Sequence, residues 1–233
     1  MASPSVASRT RNTSRGPDND DIVMARAIQF SEWARRNAKI VIAVSVAALI
    51  VVGGLFYYRI YREQRAERAA VQLSQVEQTV ASGNATLALR DLGDFSRRFG
   101  GTVEADQARL MQARLHLEAN EPAKAVAVLQ EMGEGPRTVV GAQGGLLLAA
   151  AHNQAGNRQA AIDAYLRVAD AAQLDYLRQE ALEGAALLRQ QAGDFAGAAE
   201  LYRRLLGTTE EGSFQRSVYE MRLAEAEARA QAK

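Results

Sequence analysis

The chain repeats itself. The stretch "QAGNRQAAIDAYLRV" at 154–168 returns as "QAGDFAGAAELYRRL" at 191–205, 37 residues further on. Four anchors follow this rhythm, Gly83, Asn120, Gly156 and Gly193, with spacings of 37, 36 and 37. Five residues after the anchors stand Ala88, Ala125, Ala161 and Ala198. Nine after stand Leu92, Leu129, Tyr165 and Tyr202, and twelve after stand Phe95, Met132, Val168 and Leu205. Steps of four and three place these positions on one face of a helix. Seven before the anchors come Val76, Ala113, Ala149 and Ala186, all small or slim. Each anchor therefore reads as a tight turn between two antiparallel helices. An alanine on either side lets the backbones approach, and the larger residue one turn later fills the gap to the next hairpin. One such hairpin cannot cover its own apolar face, so hairpins must stack.

This period predicts an all-α solenoid of about four hairpins over residues 69–210, closed by a capping helix over 211–233. On that last helix Phe214, Val218 and Met221 are expected to face inward, with Glu220, Glu225, Glu227 and Arg229 at more solvated positions. No period-2 strand pattern competes after Ala69. Good helix formers dominate, and breakers such as Gly100–Gly101, Gly133–Pro136, Gly207 and Gly212 divide the run.

Ahead of the repeats lies a different kind of segment. Residues 40–58, "IVIAVSVAALIVVGGLFYY", carry no charge over 19 positions. As a helix they reach roughly 28 Å, the thickness of a bilayer core. Trp33 precedes them and Tyr57, Tyr58 and Tyr61 close them, where interfacial aromatics belong. The leader is long for a cleaved signal and "YYRIYREQ" offers no small-x-small site, so an uncleaved signal anchor is expected. Arg26, Arg35, Arg36 and Lys39 upstream balance Arg59, Arg62, Arg65 and Arg68 downstream. Arg9, Arg11 and Arg15 tip the count towards a cytoplasmic N-terminus. Residues 1–21 lack apolar side chains and are expected to be disordered. Residues 22–39 read as a short juxtamembrane helix with Val23, Ala27, Phe30 and Ala34 on one face. Residues 59–68 read as a charged helical stalk.

Composition narrows the chemistry. No cysteine is present, which excludes disulfides, thiolate metal sites, a cysteine nucleophile and a lipoprotein anchor. Net charge is +1, so no basic surface points to nucleic acid. The two histidines, His116 and His152, both stand four residues before an anchor, and a shared packing role explains both. "GAQGGLLLAA" at 141–150 lacks the preceding strand and the lysine of a phosphate loop, so Gly144 and Gly145 are assigned to close helix packing. The acidic "DNDD" at 18–21 is assigned to the exposed start of a helix, and Ala43-x-x-x-Ala47 to a lipid-facing surface. No nucleophile–base or metal-ligand spacing supports an enzyme. The expected cofactors and metals are none.

The offsets around the anchors resemble the tetratricopeptide repeat: a glycine turn, an alanine five later, a large residue four beyond that. The match is closest in the last two units, and the period is longer than the usual 34. The order of an acidic start, "FSEWARRNAKI", one span, a charged stalk and a small repeat domain also resembles a bacterial inner-membrane family. This is the family of ancillary Sec translocon subunits of the YfgM type, matched over about residues 20–210. The resemblance implies a cytoplasmic N-terminus and a periplasmic repeat domain. It implies as partners translocon subunits, periplasmic chaperones or emerging polypeptides, with membrane lipid around residues 40–58. A scaffold for another envelope-assembly or division complex is the alternative. The tetratricopeptide resemblance also implies a concave groove at ten, six, three and two residues before each anchor. Those positions are Leu110, Arg114, Leu117 and Glu118, then Leu146, Ala150, Asn153 and Gln154, then Glu183, Leu187, Gln190 and Gln191. Such an apolar strip edged by amides suits an extended or helical peptide.

Overall fold

The computed structural model describes residues 36–232. The expected tail at 1–21, and the juxtamembrane helix apart from its last residues, lie outside that range. The described chain is helical with no strand. It divides into two compact units that meet at Ile60 and Tyr61.

The first unit contains the start of α1, which spans Ala38–Ala81. This helix is long and apolar enough to cross a membrane. Nothing in its most apolar window is buried against protein; Ile42, Leu49 and Phe56 are 62%, 71% and 67% exposed.

The second unit begins with the remainder of α1 and continues through α2 (Ala85–Arg98), α3 (Val103–Glu118) and α4 (Pro122–Gln130). It goes on through α5 (Val139–Gln154), α6 (Arg158–Ala171), α7 (Asp175–Gln191), α8 (Phe195–Thr208) and α9 (Phe214–Gln231). Consecutive helices from α2 onward pack as neighbours, and α3 also touches α5, and α5 touches α7. The first helices of successive hairpins thus form one layer and the second helices another.

The four anchors have left-handed backbone, with φ of 78° at Gly83, 58° at Asn120, 80° at Gly156 and 78° at Gly193. This conformation costs a β-carbon-bearing residue most, and asparagine least. In three units the next N–H turns back to the carbonyl five residues earlier: Glu121 to His116, Asn157 to His152 and Asp194 to Arg189, at 2.8–2.9 Å. That bond closes the last helical turn and satisfies an otherwise orphaned carbonyl. Caps restart the chain: Asn84, Thr102, Thr138, Asp194 and Ser213 each accept an N–H in the first turn of the next helix.

The residues five after the anchors are no more than 1% exposed. Leu92, Val168, Tyr202 and Leu205 are buried just as deeply, while Tyr165 and Met132 are half-buried. The core is segmented. Ala69 and Leu73 of α1 join Leu92, Phe95 and Phe99 and the start of α3 in one cluster. Leu110, Ala113, Ala125, Leu129 and Ala151 make a smaller middle cluster. The largest runs from Ala142 on α5 to Tyr219 and Ala226 on α9.

The capping helix is rotated from its expected register. Phe214 and Met221 are 84% and 65% exposed, not inward, and Val218 is half-buried. Tyr219 and Ala226 are buried instead, with Leu223 packed beside them. The phenol of Tyr219 donates to Glu183 Oε2 at 3.4 Å, and Arg216 on the same side donates to the carbonyl of Leu206 at 2.9 Å. These two polar anchors fix the rotation, and the purely apolar pattern did not contain them.

Candidate protein-binding groove

The first helices α3, α5 and α7 expose one continuous surface, and a cleft of about 350 Å3 crosses all three. Its floor is Leu146, Leu147 and Ala150 on α5 with Leu177 on α7. Arg114 comes from α3 and Glu180 from α7, and Gln143 of α5, Tyr165 of α6 and Tyr176 of α7 also line the cleft. Tyr165 comes from the outer layer and reaches this surface because α7 carries Gly184. A β-carbon there would lie 2.7 Å from the tyrosine Cζ. Burial, and secondarily the Glu180 carboxylate, push the Tyr165 phenol upward, so it keeps its proton.

The expected groove residues divide into three groups. Arg114, Leu146 and Ala150 meet in the cleft. Leu110 is buried, and Leu117 half-buried, in the middle cluster. Three polar positions serve the stack: Gln154 Nε2 donates to the Leu117 carbonyl at 3.2 Å and to Asn120 Oδ1 at 3.0 Å. Gln190 accepts from the Tyr202 hydroxyl at 2.8 Å, and Glu183 from Tyr219. Glu118, Asn153, Leu187 and Gln191 are exposed and lie outside the cleft. Sequence reasoning missed Gln143 and Glu180. Both stand 13 residues before their anchors, one more helical step along the same face, and that spacing could have revealed them.

His116 and His152 each supply the carbonyl that closes a repeat turn. His116 Nδ1 also lies 2.9 Å from Glu121 Oε2. Hydrogen bonds from Lys124, then His116, hold the Glu121 carboxyl below its ordinary range. Among the described residues no group of three histidine, aspartate or glutamate side chains could hold a metal. At Gly144 and Gly145 a β-carbon would collide with Met132 and Val168 respectively, so both glycines permit close helix packing.

One polar constellation gave no signal in the sequence. Asp106 is 2% exposed and pairs with Arg109 Nη1 at 2.8 Å. It also accepts the N–H groups of Gly133 at 3.0 Å and Glu134 at 2.8 Å, tying down the irregular connection between α4 and α5.

Residues 31–228 match the tetratricopeptide repeat-like domain family, a span that begins ahead of the apolar helix. Two solved structures share the fold. The crystal structure of MamA protein has 17% identity and a TM-score of 0.51, over 71% of this chain and 89% of that one. The structure of nearly identical tetratricopeptide-like repeats from a Podospora anserina putative kinesin light chain has 16% identity and a TM-score of 0.54, over 72% and 89%. No curated protein matches the chain. The left-handed turns at a period of 36–37, the buried alanines after them and the family match lead to one conclusion: the chain belongs to the tetratricopeptide repeat-like domain family.

Proposed function

We propose that the protein is a membrane-anchored, non-enzymatic scaffold that binds other proteins along the surface formed by α3, α5 and α7. The observation that carries this reading is the cleft itself. It has an apolar floor, and the side chains of its polar rim residues Arg114, Gln143, Tyr176 and Glu180 form no hydrogen bond or ion pair with other described residues. Groups left open beside an apolar floor are what a peptide needs for orientation and affinity. The anchor is the apolar part of α1, held in the inner membrane of a bacterium with the N-terminus cytoplasmic and the repeats periplasmic. The order of span, stalk and repeats supports a place beside the Sec translocon, linking it to periplasmic chaperones or emerging polypeptides.

Two measurements test this. Alkaline phosphatase fused after Ala232 should be active; an inactive fusion, with an active cytoplasmic reporter, would overturn the orientation. Mild detergent extraction should co-purify translocon or chaperone subunits. Recovery of an envelope-assembly or division complex in their place would redirect the partner assignment and leave the scaffold role standing.

A further inference from the structure

The two ends of the cleft carry opposite charges. Arg114 on α3 and Glu180 on α7 are separated by α5, whose Leu146, Leu147 and Ala150 form the floor between them. At roughly 8–10 Å between packed helix axes, two steps place the axes that carry the two charges roughly 16–20 Å apart. An extended chain covers that distance in about five or six residues at roughly 3.3 Å each. Neither charge is neutralised by another described residue, although arginines elsewhere are paired, as Arg204 is with Asp170 and Arg216 with Glu220. Tyr165 and Gln143 line the same cleft, and a phenol hydroxyl and a side-chain amide can each donate to the carbonyls of an extended backbone.

We infer that the cleft takes an extended peptide segment of mixed charge, with an acidic residue at Arg114, one or two aliphatic or aromatic side chains over the leucine floor, and a basic residue at Glu180. This rests on the scaffold reading and specifies its ligand. A helical ligand would need its two charges about eleven to thirteen residues apart to engage both ends, so charges five apart suit the extended form. A purely acidic or purely basic segment leaves one rim charge facing its own sign.

Four capped nine-residue peptides with a neutral fluorophore test the assignment. They share a Leu-Phe centre and differ at two positions five residues apart: Glu and Lys, Glu and Gln, Gln and Lys, or Gln and Gln. Binding is read by anisotropy on the full chain in detergent. The Glu–Lys peptide should bind most tightly, losing about fivefold for each charge removed. Arg114→Gln should weaken the peptides that carry Glu and leave the Gln–Lys peptide unchanged. Glu180→Gln should weaken those that carry Lys and leave the Glu–Gln peptide unchanged. Arg114 is exposed and its side chain has no partner among the described residues, so its loss should not disturb folding.

Equal affinity for the four peptides overturns the inference, as does binding of none. A photo-crosslinker at Gln143 in the full chain separates this from failure of the scaffold reading. Crosslinks to another protein without the charge pattern overturn the ligand assignment alone. Crosslinks solely to a second copy or to residues 1–35 overturn both.

Discussion

Replacing Asp106 with alanine should loosen the middle of the solenoid before its ends. The carboxylate is buried and meets three donors: Arg109 at 2.8 Å, Gly133 N–H at 3.0 Å and Glu134 N–H at 2.8 Å. Alanine removes every acceptor at once. Arg109, 9% exposed, would then have Glu131 Oε2 at 4.0 Å as its nearest acid, on a side chain that stands mostly in solvent. Removing one partner of a buried ion pair costs about 3–5 kcal/mol, because the other charge stays desolvated. Each abandoned N–H adds about 1–3 kcal/mol when fully buried. Gly133 is exposed, so water takes over part of that role. The contributions overlap, and the expected loss is about 4 kcal/mol for Asp106→Ala. Asp106→Asn keeps one acceptor oxygen and should lose about 2 kcal/mol. Asp106→Leu combined with Arg109→Met should recover roughly half of the alanine loss, since no buried charge remains. Urea unfolding of a fragment starting at Tyr61 measures the cost, and amide exchange at Gly133 and Glu134 locates it. A stack of repeats can melt unit by unit, so slope and midpoint are both read. A loss under about 1 kcal/mol, with exchange at those two amides unchanged, would refute the argument.

Other expectations follow from the packing. Gly145→Ala drives its methyl into Val168, which is 1% exposed and stiff at χ1, and should cost about 1–3 kcal/mol in urea unfolding. Gly144→Ala meets the Met132 sulfur at 2.6 Å, a flexible thioether, and should cost less. Phe214→Ser should change stability by under about 0.5 kcal/mol, whereas Tyr219→Ala, on the buried side of α9, should cost about 3 kcal/mol. Equal effects would mean that α9 keeps the register expected from its apolar residues. Glu121 should titrate below the usual carboxylate range, and Lys124→Met should raise it. Because its folded pKa is depressed, its stabilisation is present above the ordinary carboxylate value and fades as pH falls through the lower one; NMR titration follows both.

The period made the hairpins legible because each unit obeys the same local steric demands. A left-handed turn favours glycine or asparagine, and a close helix crossing favours alanine, whatever the rest of the sequence does. The same logic failed where side chains meet across long sequence separations. Asp106 reads as an ordinary polar helix position until the loop 27 residues later is seen to fold onto it. The α9 register depended on Tyr219 finding Glu183 36 residues away, which no helical periodicity encodes. Of the cleft residues, Arg114, Leu146 and Ala150 stood among the positions that the tetratricopeptide resemblance implied. Tyr165 was read as filler, and its arrival at the opposite layer depends on the missing side chain of Gly184.

The segmented core also determines how the molecule would respond to force. Elements in series carry the same tension, and the most compliant one takes most of the extension. Here that link is the middle cluster, with its few buried residues and a following connection moored by a single carboxylate. The C-terminal block, knit from α5 to α9, would move as one stiff body. The cleft straddles this boundary, with Arg114 on the yielding side and Leu177 and Glu180 on the stiff one. Tension across the repeats would therefore alter the gap between the two charged ends before it disturbed either end itself, making the grip on a ligand sensitive to load.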